Sequence, residues 1–199
     1  IGSNLSAKVP DISEITSTQN GTCIIIAGGP SVDGQIDKIL ELNGDGAKII
    51  AIARMLPWCI ENRITPDYIV SVDCSEEQEK SFEILPNGVT YLLASVTRPS
   101  IMEKLSPFPR YIFDSSENPK IRKMRGDNGY DKCTVISSLG TVALTSLSVG
   151  MNLGFRNFHI FGLDLMMPSI EHTHANGIAG RNVKQHFIKV QIGDDEILT

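Results

Sequence analysis

Thr22–Asp33, TCIIIAGGPSVD, decides the class of this chain. An apolar run rich in β-branched residues, Cys23–Ala27, passes directly into Gly28, Gly29, Pro30 and Ser31, with a helical pattern over Gly34–Leu42 behind it. A strand that ends in small residues and turns into a helix leaves backbone N–H groups beyond the sheet edge, which suits an anion such as a phosphate. The spacing of Gly28, Gly29 and Gly34 fits neither the dinucleotide fingerprint nor the Walker loop, so the expected nucleotide site is of another kind. Glycine at these positions can also serve only to turn a strand tightly into a helix.

Outward from that stretch, similar apolar runs recur at Lys48–Ala53, Tyr68–Val72, Thr90–Ala94, Arg110–Phe113, Thr134–Ile136 and Phe158–Phe161. Between them lie helical patterns at Met55–Asn62, Glu76–Ile84, Pro99–Leu105 and Leu139–Leu153. Short Ile/Val-rich strands alternating with helices predict an α/β protein, a Rossmann-like three-layer sandwich with a mostly parallel sheet buried on both faces. Leu139–Leu153 is small and apolar almost all round and predicts a central, sandwiched helix. Ser137 and Ser138 are its N-cap candidates, with Gly140 in its first turn; they either offer a second anion site or simply cap the helix.

A chain of 199 residues, 41% hydrophobic and 21% charged, has the makings of one domain. Residues 1–21 read as an irregular lead-in or short helix, and residues 22–199 as the domain. The absence of an initial Met and the interrupted strand pattern of IGDDEILT lead us to expect a segment of a longer protein. The formal net charge is -5, and the densest basic run, Lys120–Arg125, reads as a solvated loop face. Neither nucleic acid nor membrane is an expected partner. The four cysteines, Cys23, Cys59, Cys74 and Cys133, form no C-x-x-C pair and read as reduced, mostly buried thiols of a cytoplasmic protein.

In open parallel sheets ligands bind beyond the carboxyl ends of the strands. Here those ends are polar: the GGPS turn, Arg54, Asp73, Ser95, Asp114, Ser137-Ser138 and Asp164. Asp73 is placed to hold a ribose hydroxyl or a metal, or to cap the helix beginning near Ser75. Asp164 is placed to orient a hydroxyl, a base or a metal, or to bond neighbouring backbone. Arg54 offers a planar donor fork to a phosphate, or pairs with a surface carboxylate. In Glu171–Gly177, EHTHANG, the alternation of His172 and His174 can turn one imidazole into a crevice as a general base. A structural metal is not expected, since no third ligand has sensible spacing. His159 reads as core and His186 as surface.

The blocks IIIAGGPSVD, ITPDYIVSVD, SSLGTVALTSLSVGMNLGFRNFHIFGLDL and HTHANG, in this order, resemble the family shared by archaeal 6-hydroxymethylpterin diphosphokinase (MptE-like) and the bacterial motility accessory factors. The layout is also similar to that of bacterial sialyltransferases. That resemblance implies that Gly28, Gly29, Pro30 and Ser31 line nucleotide phosphates, Asp73 the nucleotide or its sugar, and Ser138, Gly140 and Thr141 the base or phosphate. Arg54 joins the nucleotide-binding set, His174 and Asp164 are the implied catalytic residues, and Thr173 and His172 face the substrate. The chain departs from the sialyltransferase pattern at Arg54, where those enzymes have asparagine, and at Gly28-Gly29, where their glycine pair is interrupted.

Three functions stay open at this point. The favoured one is a glycosyltransferase that needs no cofactor and moves a nucleotide-activated sugar, a CMP-linked nonulosonic acid, to Ser/Thr of a protein acceptor such as flagellin. The second is an ATP-dependent diphosphokinase acting on a hydroxymethylpterin, with Mg²⁺ on Asp73 and Asp164. The third is a non-catalytic nucleotide-binding or interaction module.

Overall fold

The computed structural model describes residues 9–16, 19–115, 118, 120, 123, 127, 133–164, 174–178, 189–192 and 195–198. In chain order the principal elements are β1 (Thr22–Ile26), α1 (Ile36–Gly44), β2 (Lys48–Ile52), α2 (Leu56–Glu61), β3 (Tyr68–Ser71), β4 (Thr90–Ala94), α3 (Pro99–Lys104), β5 (Arg110–Phe113), α4 (Val142–Leu153) and β6 (Asn157–Phe161). A two-stranded antiparallel hairpin follows, β7 (Lys189–Ile192) with β8 (Asp195–Leu198).

The first six strands form one parallel sheet in the order β5-β4-β3-β2-β1-β6. The chain steps outward from β1 to β5, then returns to lay β6 against the free side of β1. This reversal is a topological switch point, and it opens a crevice beyond the carboxyl ends of β1 and β6.

Alternate residues of each strand point to opposite faces, and each face has its own core. Ile24, Ile26, Ile49, Ile69 and Leu93 pack with Ile39 of α1, Trp58 of α2 and Ile101 of α3. Cys23, Ile25, Ile50, Val70 and Leu92 pack on the other face with Val149 and Leu153 of α4. Because both faces are covered, the strands read as continuous apolar runs, and the Rossmann-like α/β expectation is met.

Several local expectations are corrected. Thr134–Ile136 makes an isolated parallel bridge, Asp114 to Val135, in place of a full strand. Glu76–Phe82 is a 3-10 turn, with buried Gln78 and Ser81 three residues apart, the repeat of a 3-10 helix. His159 is exposed, because β6 has β1 on one side and lies at the sheet edge, with Ile160 also 40% exposed.

The chain ahead of Thr22 also takes part in the fold. Asp11 and Glu14 form a capping box around a 3-10 turn, Ile12–Glu14, and Ile12 is buried in the α4-side core. The Pro10 carbonyl accepts from Ile112 N–H at 2.8 Å, and Asp11 Oδ2 accepts from Thr134 N–H at 2.8 Å. Burial alone would raise the Asp11 carboxyl, but hydrogen bonds from Thr134 and Ser13 outweigh it and hold the group below the ordinary carboxylate range.

The start of α4 differs from expectation too. Its N-cap is Thr141, whose Oγ1 accepts from Leu144 N–H at 3.2 Å, and not Ser137 or Ser138. Leu139 (φ 42) and Gly140 (φ 85) are left-handed, so a right-handed helix cannot run back through them. Among the described residues no helix is long and apolar enough to cross a membrane.

Candidate functional site

A cavity of about 520 Å³ lies at the switch point, walled by the carboxyl ends of β1, β2, β3 and the loop after β6. The fold brings Gly28, Gly29, Arg54 and Asp73 together around it, and Gly140, Thr141, Asp164 and His174 complete the wall. Pro30, Ser31 and Ser138 are not part of that lining. His172 and Thr173 lie outside the described residues, as does His186.

The GGPS turn is tied to the loop after β6 by backbone and side chain. Gly29 N–H donates to the Gly162 carbonyl at 2.7 Å, and Ser31 N–H donates to Asp164 Oδ2 at 2.9 Å. The Ser31 hydroxyl also donates to Asp164 Oδ1. A Cβ on Gly29 would sit 2.5 Å from Asp164 Oδ2 and 2.6 Å from the Gly162 carbonyl, so only glycine permits this approach. Gly162 is itself left-handed, at φ 72. The amides expected to cradle a phosphate are therefore engaged at Gly29 and Ser31, and Pro30 has none. Asp164, a residue assigned to chemistry, spends its carboxylate holding the turn in place.

Beside this turn, Arg54 Nη1 lies 3.1 Å from His174 Nε2. A guanidinium can only donate, so Nε2 is the acceptor and the neutral ring carries its proton on Nδ1. Burial pushes the His174 pKa below its ordinary value, and the neighbouring Arg54 charge adds to the effect. The imidazole is held neutral at physiological pH, with a basic nitrogen turned toward a cation that an anionic ligand would attract.

His174 owes its position to residues that sequence reasoning passed over. Ala175 N–H donates to the Gly28 carbonyl at 2.9 Å, and Asn176 N–H donates to Asp33 Oδ2 at 3.0 Å. Asp33 Oδ1 accepts from Trp58 Nε1 at 2.8 Å, giving the nearly buried indole the acceptor it requires. Asp33 thus links the turn, α2 and the histidine segment. Its signal lay in the opening motif, as the carboxylate closing GGPSVD.

The remaining strand-end residues divide. Asp73 Oδ1 accepts from Ser75 N–H at 2.9 Å, shaping the entry into the 3-10 turn while the residue still lines the cavity. Ser95 Oγ donates to Asp114 Oδ1 at 3.0 Å within the fold, and neither is part of the lining. Arg98 pairs with Glu76 and Glu79, and among the described residues Arg54 is the arginine of the cavity wall. Among the described residues no group of three or more His, Cys, Asp or Glu is arranged to hold a metal ion. Ser71 and Gln78, which carried no sequence signal, also belong to the wall.

The family described as 6-hydroxymethylpterin diphosphokinase MptE-like matches residues 1–169. No curated protein matches the sequence. Among solved structures, a MAf glycosyltransferase from Magnetospirillum magneticum AMB-1 superimposes with a TM-score of 0.66 at 15% identity. The match covers 92% of this chain and 28% of that one, so the two share a fold over a minor part of the larger protein. With a family match spanning most of its length and the sheet topology just described, the chain belongs to the MptE-like family.

Proposed function

We propose that this chain is a glycosyltransferase domain acting on a nucleotide-activated sugar. The observation that carries the reading is the neutral His174 imidazole paired with Arg54 at the mouth of the switch-point crevice. Shared fold with a MAf glycosyltransferase supports it. The finer form is transfer of a CMP-linked nonulosonic acid to a Ser/Thr hydroxyl of a protein such as flagellin.

In the free protein Arg54 occupies His174 Nε2. A nucleotide phosphate entering the crevice draws the guanidinium to itself, since a charge-assisted bond to phosphate is stronger than one to neutral imidazole. Nε2 is then released as a general base. The acceptor hydroxyl attacks the anomeric carbon of the sugar, and its proton passes to Nε2. The bond from that carbon to the phosphate oxygen breaks, and the departing nucleotide keeps the electron pair. Arg54 and the first turn of α4, behind its Thr141 cap, stabilise the charge that develops on the phosphate. Asp164 acts by positioning the GGPS turn.

The family description favours a second reading, pyrophosphoryl transfer from ATP to a hydroxymethylpterin. Asp73 and Asp164 would then carry Mg²⁺ in addition to their bonds to Ser75 and Ser31. A thermal-shift panel of CMP, CTP, UDP, GDP, ADP and ATP, with and without Mg²⁺, separates the two. The expected result is metal-independent stabilisation by cytidine nucleotides, about 2.7 kcal/mol at one hundred times the Kd. Stabilisation by ATP that requires Mg²⁺ would select the diphosphokinase, and silence across the panel would select an interaction module.

A further inference from the structure

The chain just after His174 closes as a type II turn. Ile178 N–H donates to the Ala175 carbonyl at 3.1 Å, and Gly177 stands third at φ 76, where that turn requires a left-handed residue. The turn lies along α2: Ala175 is buried in the same core as Trp58, and a Cβ on Gly177 would stand 3.4 Å from Glu61 Oε2. Because α2 continues directly from a 3-10 turn, Ala53–Met55, Arg54 and Trp58 belong to one helical stretch, four residues or about one turn apart. From that stretch Arg54 reaches the imidazole, while Trp58 Nε1 donates to Asp33 Oδ1 and Asn176 N–H donates to Asp33 Oδ2.

A single hydrogen bond leaves a segment able to pivot about it. The bond from Ala175 N–H to the Gly28 carbonyl, one residue after His174, is of that kind. The second tie, from Asn176 to Asp33, removes the pivot, and its carboxylate acceptor makes it charge-assisted. Both carboxylate oxygens accept from donors on different elements, which an asparagine, with one acceptor oxygen, cannot reproduce. Asp33 also shares the 3-10 turn Pro30–Gln35 with Ser31. The turn that Asp164 holds from one side therefore holds the histidine segment on the other.

We infer that Asp33 is a positioning residue for His174: by fixing Asn176 beside α2 it keeps Nε2 turned to Arg54 and the ring in its Nδ1–H form. Calling that pose productive rests on the proposed reading of His174 as the general base.

The test is nitrogen-15 NMR of the imidazoles in the full chain at pH 8, with the His174 signals assigned from His174→Ala. Wild type is compared with Asp33→Ala, Asn176→Pro and Asn176→Ala. Proline suits the second place of a type II turn and puts a ring carbon where the N–H was; alanine keeps the N–H and deletes only an exposed side chain. Wild type and Asn176→Ala are expected to show the Nδ1–H tautomer. Asp33→Ala and Asn176→Pro are expected to show a mixture with Nε2–H, and a ring pKa that moves up toward 6.5 as burial and Arg54 are lost. Asp33→Ala also strips the Trp58 indole of its acceptor and should melt lower, whereas Asn176→Pro, on an exposed turn, should melt near wild type. An unchanged tautomer in Asn176→Pro, or an equal change in Asn176→Ala, would overturn the role of Asp33 and leave the transferase reading standing. A wild-type ring protonated on Nε2 would break the Arg54 contact and overturn both.

Discussion

At the scale of single residues, His174 joins chemistry to stability. Its pKa is lowered by burial and by Arg54, so on acidification the unfolded chain takes up a proton near pH 6.5, before the folded chain does. The contribution is complete above pH 6.5 and declines as the pH falls from 6.5 toward the depressed folded value. His174→Ala should remove this slope. Urea midpoints at pH 8 and pH 5.5 are expected to differ less in the variant than in wild type, and an identical difference would show that the imidazole does not titrate as described. The same variant should lose about 10²–10⁴-fold in transferase turnover, the range typical of a general base. Arg54 and His174 were legible in the sequence because Arg54 directly follows an apolar strand run and His174 belongs to the histidine alternation of EHTHANG. Asp33 was not, because its role arises from bonds to Trp58 and Asn176, in segments distant from it in the chain, and an aspartate after a strand is ordinary composition.

At the scale of elements, legibility followed burial. The strands β1 to β5 announce themselves because a sheet covered on both faces selects continuous apolar runs, with one-residue uncertainty at their ends. β6 reads as such a run also, yet it sits at the sheet edge with His159 and Ile160 exposed, and nothing in NFHIF distinguishes an edge from a centre. The start of α4 was missed for a different reason. Leu139 adopts a left-handed backbone at φ 42, a conformation that a leucine does not advertise, and the helix is delayed to Thr141. Thr141→Ala should therefore cost about 0.5–2 kcal/mol in chemical denaturation. Ser138→Ala should stay within about 0.5 kcal/mol, since its hydroxyl is not the cap and its carbonyl, which accepts from Thr145 Oγ1, is retained. Equal costs would return the cap to the serine pair.

At the scale of the whole molecule, the two-sided core sorts the thiols. Cys23 and Cys59 are buried, and burial pushes both up to about 12, with Asp67 adding to the effect at Cys23. Cys74 is exposed and Cys133 half-buried. Labelling the native protein with a thiol reagent at pH 8 should modify Cys74 first and Cys133 more slowly, leaving Cys23 and Cys59 until denaturant is added. Early modification of Cys23, read by peptide mass, would contradict the sealed sheet. The bond between Ser31 and Asp164 joins residues 133 positions apart, and it shapes the mouth of the crevice. Closing a loop of that span costs more conformational entropy than pairing neighbouring strands, so the contact is expected to form late in folding. During synthesis one face of β1 through β4 lacks its α4 cover until residues 142–153 have emerged, and the crevice waits for the last strand of the sheet to follow. Ligand capture would thus report on completed folding, and a nascent chain halted short of Asp164 would hold the scaffold without its site.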